Sequence, residues 1–118
     1  MAILIKNEHY MKWKEIKEAT LSCPSPRHGH RCVTYGKYLI MIGGGNDGMM
    51  ADVSIFNTGR TFIDLVSNRW YSPAGPSMNF PGCAAYGIAI ISHNIYIFGG
   101  IYEKGLYSND VSLNLVHI

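Results

Sequence analysis

Two apolar segments, each closed by a pair of glycines, set the limits on what this chain can become. Tyr38-Leu39-Ile40-Met41-Ile42 runs into Gly43-Gly44, and Asn94-Ile95-Tyr96-Ile97-Phe98 runs into Gly99-Gly100. The second doublet follows the first by 56 residues, and other landmarks return at nearly that interval. Trp70 comes 57 residues after Trp13, and Asp110 comes 58 after Asp52, each aspartate followed by Val-Ser. Positions 39–42 are apolar throughout, the pattern of a strand covered on both faces. A glycine pair at the end of such a strand lets the backbone turn where a side chain would clash or positive φ is required.

The rest of the unit reads as further strands. Residues 28–35 mix polar and apolar positions and suit a first strand, with 39–42 as the second. Residues 52–56 alternate polar Asp52 and Ser54 with apolar Val53 and Ile55, as expected of a third strand nearer the edge. Trp70 and Tyr71 belong on an outer fourth strand, the indole packed between units. The second unit repeats this from Cys83 to Leu115, with Asn114 in the place of Phe56, and stops before a matching tryptophan. A period of about 50 residues with four short strands is the interval of a propeller blade of the kelch type. The expected architecture is an all-β kelch-type β-propeller fragment of about two four-stranded antiparallel blades, its ring not closed. It divides into an N-terminal segment (1–12), a first repeat (13–71) and an incomplete second repeat (72–118).

Two stretches fit less simply. Residues 59–67 exceed a tight hairpin and carry apolar Phe62, Ile63, Leu65 and Val66, so a longer outer hairpin and an inserted segment both remain open. Lys12, Lys14, Glu15, Lys17 and Glu18 surround Trp13 and suit a charged helix or a solvated outer strand. The correspondence with Trp70 favours the strand, whose charges deter strand addition. An unclosed array of about two units leaves apolar strand faces open, so the 118-residue chain is expected to be marginal or prone to aggregate.

Composition narrows the function. Hydrophobic residues make up 47% and charged residues 15% of the 118, a folded chain of one domain at most. A net charge of +2 with dispersed Lys and Arg gives no phosphate-backbone footprint, so direct nucleic-acid binding is not expected. The three cysteines, Cys23, Cys32 and Cys83, are too few and too scattered for a disulfide scaffold, and no Asn-x-Ser/Thr acceptor occurs. No run reaches the length of a membrane span, and residues 1–5 are too short for a signal-peptide core. These features point to a reducing compartment, nucleus or cytoplasm.

Several chemical motifs compete with plain structural roles. Gly43-x-Gly45-x-x-Gly48 matches a dinucleotide fingerprint, but Met49-Met50 lead at once into a strand pattern instead of a helix, so it reads as a blade turn. His28, His30 and Cys32 would share one face of a strand, with Cys23 nearby, yet their spacing matches no zinc pattern. His30 is read instead as bonded to blade backbone, with Arg27 or Arg31 bridging to a neighbouring carboxylate. No nucleophile elbow is present. A copper-oxidase centre around Cys83 and a tyrosine would need ligands from an entire ring. Neither catalysis nor any cofactor or metal is expected.

The segments Pro26-Arg27-His28-Gly29-His30-Arg31, Gly43-Gly44-Gly45-Asn46-Asp47-Gly48, Phe56-Asn57-Thr58, Pro81-Gly82-Cys83-Ala84-Ala85-Tyr86-Gly87 and Tyr107-Ser108-Asn109-Asp110 closely resemble the first kelch repeats of the host cell factor family. The resemblance spans about 13–115 and departs at 59–66 and 114–118. It implies a nuclear transcriptional coregulator that docks short acidic-His-x-Tyr peptides of transcription factors and scaffolds histone-modifying complexes, using a complete propeller. Arg27, Asn46, Asp47, Tyr102, Glu103 and Lys104 are the expected docking residues, being polar or aromatic loop positions, with Arg27 and Lys104 facing the motif's acid. Trp13, His30, Gly43, Gly44, Trp70, Gly99 and Gly100 are the expected structural positions. A kelch substrate adaptor for ubiquitin ligation and an actin-binding kelch protein are the alternatives.

Overall fold

A computed structural model describes residues 2–6, 11–16, 23–59, 69–73 and 81–115. The chain is all-β, and its sheets are antiparallel and open, as the repeat required. A four-stranded sheet joins β3 (Arg31–Tyr35), β4 (Tyr38–Ile42), β5 (Val53–Asn57) and β6 (Arg69–Tyr71) in chain order. A three-stranded sheet joins β8 (Gly87–Ile91), β9 (Asn94–Phe98) and β11 (Val111–Leu115). β7 (Cys83–Ala84) pairs with β10 (Ile101–Tyr102), and a 3-10 turn follows at Glu103–Gly105. β1 (Ala2–Lys6) and β2 (Met11–Glu15) form a separate hairpin.

The two large sheets are copies. Each opens with a two-residue hairpin turn, Gly36-Lys37 between Tyr35 and Tyr38, and Ser92-His93 between Ile91 and Asn94. Gly36 and Ser92 both sit at φ 56°, the left-handed start that matches the strand twist. The registers then align Leu39 with Phe56 in one sheet and Ile95 with Asn114 in the other, positions that correspond across the repeat.

The sheets pack face to face. Ile40, Ile42 and Ile55 from the first meet Ile95 and Ile97 from the second, with Cys83 and Tyr86 buried among them. Each fully buried isoleucine contributes about 1.5–3 kcal/mol relative to exposure, so this seam is a major source of stability among the described residues. Edge contacts tighten it: Arg31 Nε donates to the Tyr86 carbonyl at 3.1 Å, the Tyr86 hydroxyl donates to the Ile42 carbonyl, and Tyr35 meets His93. On the opposite face of the first sheet Met41, Phe56 and Trp70 form a second cluster, flanked by Leu39 and Ile16.

The glycine doublets do what the sequence demanded. Gly43 and Gly44 adopt φ 58° and 98°, and Gly99 and Gly100 adopt 68° and 104°. A Cβ on Gly43 would stand 2.6 Å from the Cys83 carbonyl oxygen, which also accepts a 2.9 Å hydrogen bond from the Gly44 N–H. The first doublet is thus a contact between repeats as well as a turn.

Two expectations change. The first strand begins at Arg31, not at 28, because Gly29 takes φ 67° and breaks the alternation. Trp13 lies on a strand, but in the β1–β2 hairpin, 68% exposed, whereas Trp70 is 8% exposed on β6. The shared interval therefore does not give the two tryptophans the same surroundings. The second sheet has three described strands, in keeping with the incomplete second repeat expected from the sequence. Positions 60–67 of the long stretch lie outside the described residues, as do Lys17, Glu18 and 116–118.

Gly36→Ala and Gly43→Ala separate strain from contact. At Gly36 nothing lies within 4 Å of an added Cβ, so the variant should lose only the left-handed cost of about 1–2 kcal/mol. Gly43→Ala should lose that and at least the lost hydrogen bond, about 1 kcal/mol more. Urea midpoints measure both, and equal losses would contradict the contact.

Candidate protein-docking rim

At one end of the two sheets three loops meet, and backbone bonds lock them together. His28 and Gly45 exchange hydrogen bonds at 2.9 Å in both directions, and Ala85 N–H donates to the Gly29 carbonyl at 2.9 Å. The 45–49 turn closes on itself through a Gly45–Met49 bridge and runs on into β5 with no helix, as a blade turn should. With Met49 N–H bonded to Glu103, the rim joins loop 25–29, loop 43–49 and the 101–107 segment from two different repeats.

The expected docking residues have divided roles. Asn46 Nδ2 donates to the Pro26 carbonyl at 3.0 Å, and Asp47 beside it is exposed. Glu103 reaches across from the second repeat to accept the Met49 N–H at 2.7 Å, fixing one loop to the other. Lys104 follows at φ 64° and is exposed. Tyr102 is half buried and packs on the inter-sheet core, so its ring serves the fold. The structure thus brings Asn46, Asp47, Glu103 and Lys104 to one rim.

Arg27 has a different task from the one expected. Its side chain is 3% exposed, and Nη1 and Nη2 hold the two Asp52 carboxylate oxygens at 2.5 and 2.9 Å, with Nη1 also donating to the Gly43 carbonyl at 3.1 Å. The guanidinium is spent on anchoring loop 25–29 to the glycine turn, which is the bridging role the sequence also allowed. Arg31, the other candidate for that bridge, instead donates to a carbonyl. His30 departs from its reading too: its Nδ1 is buried with no hydrogen-bond partner. Its Cβ packs where a side chain on Gly44 would lie, 3.0 Å away. The positive φ of Gly29 also turns His28 out of the alternation that would have grouped it with His30 and Cys32. Among the described residues no three His, Cys, Asp or Glu side chains gather as a metal site.

Sequence reasoning missed Leu106 and Tyr107, which project from the rim at 64% and 84% exposure. An aromatic following Gly105 in a polar loop was the available signal. Together with Lys104 they present a cation and apolar surface side by side.

Beside the rim, a groove of about 580 Å³ lies between the outer face of the first sheet, at Leu39, Met41, Phe56 and Trp70, and the covering Ile16 and 23–27 segment, with His30 and Cys32 also lining it. Burial raises the Cys32 thiol pKa, pushes Cys83 from 9.0 up to about 11, and raises the Tyr86 phenol as well. These thiols are protonated at neutral pH and poor nucleophiles.

No protein-family model matches the chain. Individual proteins do. The chain is 36% identical over 100 residues to the host cell factor of Drosophila melanogaster, and 37% identical over 100 residues to host cell factor 1 of Homo sapiens. Each alignment covers 85% of this chain, but only 6% of the fly protein and 5% of the human one, so the chain spans a small part of these relatives. An F-box/kelch-repeat protein of Arabidopsis thaliana is 46% identical over 41 residues, 35% of this chain and 8% of that protein.

Two measurements check the rim's construction. Arg27→Lys should lose about 1.5–3 kcal/mol of stability, since an ammonium cannot hold both Asp52 oxygens. Combined with Asp52→Asn it should lose less than the sum of the two, and full additivity in urea unfolding would refute the pairing. For Cys83, the folded state keeps a proton that the unfolded thiol releases. Its contribution is therefore fully present below 9.0 and lost as pH rises toward about 11. Cys83→Ala should flatten part of that alkaline decline; an unchanged profile would show the thiol is not its source.

Proposed function

The chain belongs to the host cell factor family, and we propose that it works as a non-catalytic kelch module whose loop rim docks short acidic-His-x-Tyr segments of transcription factors. In this reading it serves a nuclear coregulator that scaffolds histone-modifying complexes, and further blades complete the binding surface.

The observation that carries the reading is the presentation of Lys104. Glu103 is pinned by the Met49 N–H, so the loop tip is fixed to the neighbouring repeat, and Lys104, Leu106 and Tyr107 stand exposed beside one another. A cation next to an apolar, aromatic surface is suited to a peptide that carries an acid followed by aromatic residues. A rim held by hydrogen bonds across repeats loses little entropy on binding.

Fluorescence anisotropy of a labelled acidic-His-x-Tyr peptide with the 118-residue chain tests this directly. Lys104→Glu should weaken binding by about 1.4- to 5-fold, the scale of an exposed charge pair of about 0.2–1 kcal/mol, and Tyr107→Ala should weaken it further. Equal affinity for a scrambled peptide, or capture of actin in place of the peptide, would overturn the reading.

A further inference from the structure

The segment that covers the first sheet carries a serine between two prolines. Cys23-Pro24-Ser25-Pro26-Arg27 forms no strand, helix or turn, and Cys23, Ser25 and Pro26 are exposed. Each proline fixes its own φ, and Pro26 disfavours helical backbone at the residue before it, so Ser25 is held extended on an accessible segment. Pro26 also removes the N–H that would follow the serine, the feature by which proline-directed kinases select an acceptor. A second Ser-Pro pair, Ser72-Pro73, follows β6 and is likewise exposed, but Ala74-Gly75 come next in place of an arginine.

Arg27 distinguishes the first pair. A guanidinium has five N–H donors in a fixed fork. Nε donates to the Ser25 carbonyl at 3.1 Å, Nη1 to Asp52 and to the Gly43 carbonyl, and Nη2 to Asp52 at 2.9 Å. The remaining N–H of Nη2 meets the Ser25 hydroxyl at 3.4 Å. That contact is long for a hydrogen bond, so this donor is the one the fold leaves underused. It points at the oxygen to which a phosphoryl group would be joined. The Arg27 side chain is 3% exposed, so the fork is already ordered and largely out of water, where a charge-assisted bond is strongest. The charge facing it, Asp52, is 44% exposed, and water screens its repulsion of an added anion.

We propose that Ser25 is a phosphoacceptor for a proline-directed kinase and that Arg27 is the built-in receptor for its phosphate. In the transfer a bond forms between Ser25 Oγ and the γ-phosphorus of ATP. The bond from that phosphorus to the bridging oxygen breaks, ADP leaves, and the hydroxyl proton passes to the kinase's catalytic carboxylate. One phosphoryl oxygen then takes the underused Nη2 N–H, while Asp52 and the Gly43 carbonyl keep theirs. The modification tightens the 23–27 cover and the anchor of loop 25–29 on the glycine turn. It acts on the frame of the rim and leaves the exposed Lys104 tip unchanged.

Incubation of the 118-residue chain with a mitogen-activated kinase, ATP and Mg²⁺ tests this. Tandem mass spectrometry should place phosphate on Ser25, and Ser25→Ala should lose that phosphopeptide. The exposed Ser72→Ala variant confines the reaction to the first Ser-Pro pair and serves for the remaining measurements. Phosphorus NMR then follows the second ionisation of the phosphoserine, ordinarily near pH 6. In the folded chain it should fall about one pH unit lower than in the same chain unfolded in urea, the lower end of what an adjacent arginine does to a carboxylate. The urea midpoint should be at least that of the unmodified variant, with the β circular dichroism spectrum retained. A Ser25 that the kinase leaves unmodified would overturn the proposal. Identical titration in the folded and unfolded chains would remove Arg27 as the receptor. A lower midpoint or a lost β spectrum after phosphorylation would show that repulsion from Asp52 prevails, and would overturn it too.

Discussion

The seam between the two sheets is the contact on which the rest of this structure depends. Neither sheet is stable alone by its composition: each has an apolar side that water would otherwise meet, and a lone antiparallel sheet of three or four strands has little else to bury. The seam removes Ile40, Ile42, Ile55, Ile95 and Ile97 from solvent together. It also fixes the distance between the repeats, because the Gly43-Gly44 backbone lies directly on the Cys83 carbonyl. A side chain there would hold the sheets apart, so the glycine doublet and the isoleucine seam are one constraint seen from two ends.

The rim follows from the seam. Loops 43–49 and 101–107 come from different repeats, and Glu103 can reach the Met49 N–H only because the sheets beneath are in register. Arg27 then closes the third loop onto the glycine turn through Asp52. Polar and aromatic side chains stand on a rigid frame there, which is the usual arrangement of a recognition surface in a β scaffold. The same logic explains the open face of the second sheet, where Phe98, Val111 and Leu113 stand exposed: a strand face of this kind is built to be covered by a neighbouring repeat.

Much of this was legible in the sequence. The apolar run 39–42 and its counterpart 94–98 identified the central strands, and the doublets identified the turns, because burial on both faces and positive φ leave strong marks on residue choice. The outer elements were less legible. Trp13 and Trp70 share a residue type and an interval, yet one lies in a separate hairpin, because an edge strand's partner is settled by tertiary contact and not by local pattern. Gly29 ended the first strand early through a conformation that a lone glycine does not announce. At the rim, residue types pointed to polar loops, but within them Arg27 is an anchor and Tyr102 a core contact. Both depend on partners distant in sequence, Asp52 for one and the strand pairing with Cys83 for the other. His30 went the same way: a histidine in a blade suggested backbone bonds, and its Nδ1 has none.

Native-state hydrogen exchange on the Ile40→Ala variant tests the central claim most directly. If the seam makes the two sheets one cooperative unit, the amides of Asn94–Phe98 should lose as much protection as those of Tyr38–Ile42, although the substitution lies in the first sheet alone. Loss confined to the first sheet, with the second unchanged, would mean that the repeats fold independently and that the seam is not what holds them.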